Sequence, residues 1–181
     1  GNDYIGSYGD AAANCAGIEY RLAYKATTSR YEVYMRPNVT ANAPKQTLTA
    51  QVTLKAPHVS GAGAFAVTGL TPATGTSWQA DAAVRAPSEN PSADYVSVTL
   101  QDATGALNWQ AGQEVLVFSF QNSGTCSGAV SIMQNSDPFN VSSNSVGTNP
   151  GNAIDVLGLG ADPGNDYIGS YGDAAANCAG I

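Results

Sequence analysis

The stretch Ile18 to Lys25 reads IEYRLAYK, and it alternates apolar and polar residues with a period of two. The stretch Tyr31 to Arg36 (YEVYMR) shows the same alternation after the turn residues Thr27 to Arg30. A period of two places alternate side chains on one face of a β-strand, and two such runs around a short turn are typical of a hairpin. The sequence therefore predicts a β-hairpin over residues 18–36.

Further alternating or apolar runs follow at spacings of about 8 to 12 residues, separated by Gly, Pro and Asn turns. The clearest of them is DYVSVTLQ (Asp94 to Gln101). The buried faces are expected to carry Leu48, Ala50, Val52 and Leu54 in one strand and Leu116, Phe118 and Phe120 in another. Val115 and Val117 face the other way in that second strand, and we expect its first half to be covered on both sides. No window of about 11 residues has the apolar spacing of a helix. The chain is therefore predicted to be all-β, a two-sheet sandwich of about nine strands.

The first 18 residues, GNDYIGSYGDAAANCAGI, recur letter for letter as Gly164 to Ile181. Chance does not produce such a match, so the chain is either one unit of a tandem array with a period of 163 residues or a chain deliberately duplicated at its ends. A period of that length is a whole domain, far above the roughly 20 to 50 residues of solenoid repeats. We expect residues 1–17 to be the tail of the preceding repeat or a shared strand, 18–178 to be the sandwich domain, and 179–181 to begin the next repeat.

The duplicated segment also predicts the residues that join neighbouring units. A strand shared between units would cover a sheet edge that is otherwise exposed, through main-chain hydrogen bonds. The apolar and aromatic residues of the two copies are the expected inter-repeat contacts: Tyr4, Ile5 and Tyr8 in the first, Tyr167, Ile168 and Tyr171 in the second.

The composition argues against several classes of partner. Lys and Arg number 7, Asp and Glu number 14, and the formal net charge is −7. So few basic residues cannot track a phosphate backbone, and a negative balance disfavours anionic membrane surfaces. The apolar runs are much shorter than the roughly 20 residues of a membrane-spanning helix. We expect neither nucleic acid as a partner nor a membrane span in this segment.

Cysteine usage indicates an oxidising compartment. The three cysteines are Cys15, Cys126 and Cys178, and Cys15 and Cys178 occupy the same position of the duplicated segment. Two cysteines per period suit one disulfide per domain in a secreted protein. Loop entropy does not decide whether Cys15 or Cys178 pairs with Cys126. We favour Cys126 with Cys178, because the domain would then carry its own disulfide, and we expect an extracellular or cell-surface location.

The run WQAGQEVLVFSFQ (Trp109 to Gln121), after DYVSVTLQ, resembles the late strands of a cohesin-like jelly roll. The opening YRLAYKATTSRYEVYM and the closing GNDYIGSYGDAAANC resemble domains of large multi-repeat surface proteins of bacteria, notably Bacteroidetes-type secreted adhesins. The resemblance covers most of residues 18–178. It implies a cohesin-like or Ig-like sandwich that serves as a repeat unit, and it carries over no docking surface residue by residue.

Catalytic chemistry finds little support in the sequence. His58 is the only histidine, it lies in a Gly-rich loop, and no Gly-x-Ser-x-Gly motif is present. One histidine and a disulfide leave too few ligands for zinc. The acidic residues are scattered, so a glycosidase pair is not apparent. We predict no enzymatic activity and no catalytic residue.

Calcium is the one metal that the sequence suggests. Asp162, Asn165, Asp166 and Asp173 crowd the segment ADPGNDYIGSYGD, and oxygen ligands of this kind suit Ca²⁺. Glu89, Asn90 and Asp94 form a second, weaker group. Asp and Asn in turns more often bond their own backbone. We therefore keep calcium as a hypothesis and expect no other cofactor.

Aromatic residues leave a binding role open. Trp78 and Trp109 could stack on sugar rings, although packing in the core is the commoner use of tryptophan in a sandwich. Asn38 (NVT) and Asn140 (NVS) fit the glycosylation sequon, which is usually idle in a bacterial protein. The favoured hypothesis is a non-catalytic structural or adhesive repeat of an extracellular filament, with neighbouring identical repeats as partners. The alternative is a carbohydrate- or protein-binding module, repeated for avidity.

Overall fold

A computed structural model describes residues 15–105, 107–126, 128–160 and 164–179. These residues form twelve β-strands and one single-turn 3₁₀ helix (Gly61–Gly63). The strands are β1 (Ile18–Lys25), β2 (Arg30–Pro37), β3 (Thr47–Pro57), β4 (Val67–Pro72), β5 (Ser77–Ala80), β6 (Val84–Arg85), β7 (Ala93–Asp102), β8 (Val115–Asn122), β9 (Ala129–Ile132), β10 (Ala153–Val156), β11 (Tyr167–Ser170) and β12 (Ala176–Asn177). The predicted all-β sandwich is confirmed. The expected number of strands was too low, because two-residue strands such as β6 and β12 carry no alternation that a sequence pattern can reveal.

The strands form two sheets that pack face to face. The first sheet has the order β11-β1-β2-β8-β4. The second has the order β12-β9-β3-β7-β5, with β10 also paired to β3 and β6 to β7. The predicted hairpin is confirmed as β1 and β2, which are antiparallel with Ile18 opposite Pro37 and Lys25 opposite Arg30.

The core lies between the sheets and follows the alternation of the strands. Ile18, Tyr20 and Leu22 of β1 are buried, and the residues between them are only partly covered. On β7 the alternate residues Val96, Val98 and Leu100 are also buried. Alternate burial of this kind is the pattern of a sheet with one face against a core.

On each of two predicted inward faces, one residue is exposed instead of buried, and a β-bulge is the reason in each case. Leu48 is 44% exposed, because β3 has one extra residue opposite β10 at that point. Leu116 is 41% exposed, because β8 has one extra residue opposite β2, and Val117 is fully buried instead. A bulge shifts the alternation by one residue and so exchanges the two faces of the strand.

The second copy of the duplicated segment belongs to the sandwich. Its residues form β11 in the first sheet and β12 in the second, at the same flank of the domain. The described part of the chain contains no helix that is long and apolar enough to cross a membrane.

Candidate functional site

The candidate site is the flank where residues 164–178, here called the docked segment, cover the edges of both sheets. In the first sheet, β11 lies parallel to β1, with Tyr167 opposite Ile18 and Ser170 opposite Tyr20. In the second, β12 lies antiparallel to β9. The Ile18 amide donates to the Asp166 carbonyl at 2.7 Å, and the Tyr171 amide donates to the Tyr20 carbonyl at 3.0 Å. The docked segment therefore satisfies main-chain groups that an open edge would expose.

Tyr167 anchors the docked segment in the core. Its side chain is buried, and its ring centroid lies 4.6 Å from that of Tyr20. The Tyr20 hydroxyl in turn donates to the Ala153 carbonyl across the sandwich at 2.8 Å. Burial raises the pKa of the Tyr20 phenol well above its ordinary value, so both rings stay neutral and act as large apolar groups.

Tyr171 anchors the segment on the outer face of β1 through a charged cluster. Its hydroxyl donates to Glu114 Oε1 at 2.8 Å. Arg21 forms a two-pronged pair with the same carboxylate, with Nε 2.7 Å from Oε1 and Nη2 3.0 Å from Oε2. The guanidinium carbon of Arg36 lies 3.9 Å from the centre of the Tyr171 ring, which is cation–π geometry. The hydrogen bond from Arg21 lowers the pKa of Glu114, which keeps the carboxylate ionised at neutral pH.

The last residues of the first copy, which lead into β1, lie beside the docked segment. The Gly17 amide donates to Asn38 Oδ1 at 2.8 Å, and Asn38 Nδ2 donates to the Cys15 carbonyl at 2.7 Å. A Cβ on Gly17 would collide with the Ile168 side chain and would lie 2.8 Å from the Asp166 carbonyl oxygen. Only glycine therefore allows β11 to pack this closely against the start of β1.

The six predicted inter-repeat residues fall into two groups. Tyr167, Ile168 and Tyr171 all contact the sandwich of their own chain. Tyr4, Ile5 and Tyr8 lie outside the described residues. The polar partners Arg21, Arg36, Glu114 and Asn38 were missed by the sequence analysis. For Asn38 the signal lay in its position directly after the Pro37 break, where an asparagine side chain commonly bonds the neighbouring backbone.

A disulfide fixes the end of the docked segment. Cys178 is bonded to Cys126, and their Cα atoms are 5.7 Å apart. This confirms the pairing that we favoured. Cys15, the same position in the first copy, is exposed and takes no part in a disulfide.

Two of the calcium candidates, Asn165 and Asp166, are engaged in other contacts. Asn165 Oδ1 accepts the amides of Ile154 at 3.1 Å and Tyr167 at 3.0 Å. Asp166 Oδ2 accepts the amide of Val156 at 2.8 Å, and burial raises the pKa of the Asp166 carboxyl. Asp173 is exposed at the surface, and Asp162 lies outside the described residues. Within the described ranges, no three His, Cys, Asp or Glu side chains come together as a metal cluster.

The second acidic group is divided among three different contacts. Glu89 accepts the amide and hydroxyl of Ser145, and Asn90 Nδ2 donates to the Tyr95 hydroxyl. Asp94 is fully buried and is paired elsewhere. The oxygen atoms of this group therefore serve local folding contacts.

His58 lies in the loop after β3 and is exposed, and it is also paired with a buried carboxylate. Its Nδ1 lies 2.8 Å from Asp94 Oδ1, and Arg85 Nη1 lies 2.7 Å from Asp94 Oδ2. The Ala86 amide also donates to Asp94 Oδ1, at 3.1 Å. Asp94 thus links the end of β3 to β6 and β7, which gives the buried charge the partners that burial requires.

The tryptophans lie in the core. Trp109 is fully buried, and its Nε1 donates to Thr47 Oγ1 at 2.8 Å. Trp78 is 7% exposed, and its ring centroid lies 4.9 Å from that of Phe118. Neither ring is therefore available as a flat surface for a sugar.

Comparison with known proteins leaves the docked segment as the principal guide to function. No protein-family model matches the chain, and neither a curated protein nor a solved structure matches it. The resemblance to cohesin-like repeats therefore stays a prediction.

Proposed function

We propose that this chain is a non-catalytic repeat unit of an extracellular fibre or cell-surface adhesin, in which units are joined through GNDYIGSYGDAAANCAGI. The observation that carries the proposal is that residues 164–178 complete both sheets of the sandwich. Residues 1–15 have the same sequence. A flank that accepts one copy is chemically suited to accept the other from a neighbouring unit.

The connection between units is short in the proposed fibre. In the first copy, only Ala16 and Gly17 separate Cys15 from Ile18, where β1 begins. Three Cα-to-Cα steps of about 3.8 Å span at most about 11 Å. A docked first copy would therefore bring the Cys126 end of one unit against the Ile18 end of the next. The units would then be arranged head to tail, which is the arrangement that builds an open filament.

The disulfide supports the extracellular location in this proposal. Structural disulfides persist in oxidising compartments and are rare in the cytosol. Repeated sandwich units that each contain a disulfide suit a load-bearing or adhesive role outside the cell. The cohesin-like resemblance points to the same kind of protein.

The proposal is tested by a chain that ends at Pro163 and so lacks the second copy. Its flank is open, and we expect end-to-end oligomers in size-exclusion chromatography with light scattering, as residues 1–15 of one molecule fill the flank of another. A chain that also lacks residues 1–15 is the matched control and should not assemble. A synthetic peptide of residues 164–178 should fill the open flank of both chains and convert the oligomers of the first chain to folded monomers. If the Pro163 chain neither assembles nor responds to the peptide, the proposal is wrong.

A further inference from the structure

Cys15 and Cys178 occupy the same position of an identical segment, but they differ in bonding. Cys178 is bonded to Cys126, and Cys15 is exposed and outside any disulfide. We propose that Cys15 of one chain forms a disulfide with Cys126 of a second copy, and that this bond locks neighbouring units together covalently. This inference rests on the proposed function and adds a chemical step to it. The bonded state of Cys178 is the direct observation that a cysteine at this position of the segment meets Cys126.

Cys15 cannot reach Cys126 of its own chain while β1 stays in the sheet. Cys126 lines a cavity of about 270 Å³ together with Tyr24 and Cys178, so it lies near the far end of β1. The distance from Ile18 to Tyr24 along a strand is about 20 Å, at about 3.3 Å per residue. Cys15 is held at the opposite end by Asn38, and its three steps to Ile18 span only about 11 Å. A disulfide between Cys15 and Cys126 therefore requires two molecules.

The first copy has the side chains that guide the docked segment to Cys126. In the docked segment, Tyr167 packs on Tyr20, Tyr171 bonds Glu114, and Ala176 lies opposite Val130 before Cys178 meets its partner. In the first copy, Tyr4, Tyr8 and Ala13 precede Cys15 at the same spacings. The same contacts, made in a second molecule, would deliver Cys15 to the position that Cys178 holds.

The bond can form by exchange, with no added oxidant. The Cys15 thiolate attacks the Sγ of Cys126, the bond between Cys126 and Cys178 breaks, and Cys178 leaves as a thiolate. One disulfide is consumed and one is formed; the proton lost by Cys15 goes to solvent, and Cys178 takes one up. Cys126 is an exposed residue, and it lines a surface cavity together with Cys178, which places the disulfide at the surface of the domain. The bonds exchanged are chemically equivalent, but the leaving segment stays tethered to the acceptor, so a high concentration of donor chains drives the exchange.

The experiment mixes two variants of the full chain. The acceptor carries Cys15→Ser and keeps the native disulfide. The donor carries Cys126→Ser and Cys178→Ser, so that Cys15 is its sole thiol. At pH 8 without oxidant, we expect a disulfide-linked heterodimer on non-reducing gels. Peptide mapping should join donor Cys15 to acceptor Cys126 and find the new free thiol at Cys178.

The synthetic peptide of residues 1–18 serves as a second donor. Because it needs no fold of its own, it tests the exchange even if the donor chain unfolds. Tyr4→Ala and Tyr8→Ala in this peptide should slow the exchange at least about tenfold, since both rings are expected to place the segment. The inference would be overturned by a linkage of Cys15 to Cys178 or by no linkage at all. It would also be overturned if the native peptide and its Tyr4→Ala, Tyr8→Ala variant reacted at equal rates. If the Pro163 chain still assembles without covalent links, the strand sharing stands and only the disulfide step is wrong.

Discussion

The rings of Tyr20 and Tyr167 lie 4.6 Å apart, and this contact joins β1 to the docked segment. Tyr20 follows the first copy of the duplicated sequence by two residues, and Tyr167 is part of the second copy. The packing of one on the other shows that the duplicated segment is part of the core of the domain. The following predictions test the contacts that hold it there.

Tyr167→Ala should lower the free energy of unfolding by about 3 kcal/mol, because it removes a buried ring and leaves a cavity against Tyr20. Urea denaturation measures the change. Tyr4→Ala is the matched control, since Tyr4 holds the same position of the first copy and the place in the sheet is already filled by Tyr167. Equal losses in the two variants would contradict the role assigned to the docked segment.

Gly17→Ala should destabilise the chain by about 1–3 kcal/mol, the usual cost of overpacking. The new methyl group meets Ile168 and the Asp166 carbonyl oxygen. Ile168→Ala in the same chain should restore part of the loss, because it removes the side chain but not the carbonyl. Thermal unfolding of the two single variants and the double variant gives the coupling. Strictly additive effects would show that Gly17 does not pack on the docked segment.

Glu114→Gln should loosen β11 at pH 7 and have a smaller effect in acid. The pKa of Glu114 is lowered in the folded chain, so its ionised form stabilises the fold above the ordinary carboxyl range near 4.3. That contribution is lost as the pH falls through the lowered pKa. We expect a cost below about 1 kcal/mol at pH 7, because the pair is partly exposed.

Hydrogen exchange at the Tyr171 amide measures this effect of Glu114→Gln directly. Glu32→Gln is the control, since Glu32 pairs with Lys25 in the same sheet and does not bond Tyr171. If the Tyr171 amide is equally protected from exchange in both variants at pH 7, Glu114 does not hold the docked segment.

Asn165→Ala should cost about 1–3 kcal/mol, because the amides of Ile154 and Tyr167 lose their acceptor. Asn165→Asp keeps an acceptor oxygen and should cost less. We expect the loss in Asn165→Ala to be the same in excess calcium and in chelator. A melting temperature of the native chain that rises with calcium, and stops rising in Asp173→Asn, would instead establish the calcium site that the sequence suggested.

Much of the candidate site could be found from the sequence because the segment is repeated. The duplication marked Tyr167, Ile168 and Tyr171, and the count of two cysteines per period indicated one disulfide. The partners on the sandwich gave no such signal. Arg21 and Glu114 are 93 residues apart in the chain, and nothing local in either stretch marks them as a pair. The contact between His58 and Asp94 also had no local signal, because the two residues meet only through the pairing of the ends of β3 and β7.

The sequence by itself determined most strands of the sandwich and the identity of its two ends, because alternation and repetition are properties of the chain alone. Only the tertiary structure decided which way Leu48 and Leu116 point, since a bulge depends on the register of the neighbouring strand. It also decided that one copy of the duplicated segment enters both sheets. That placement depends on two open edges lying side by side, which exist only after the sheets have packed.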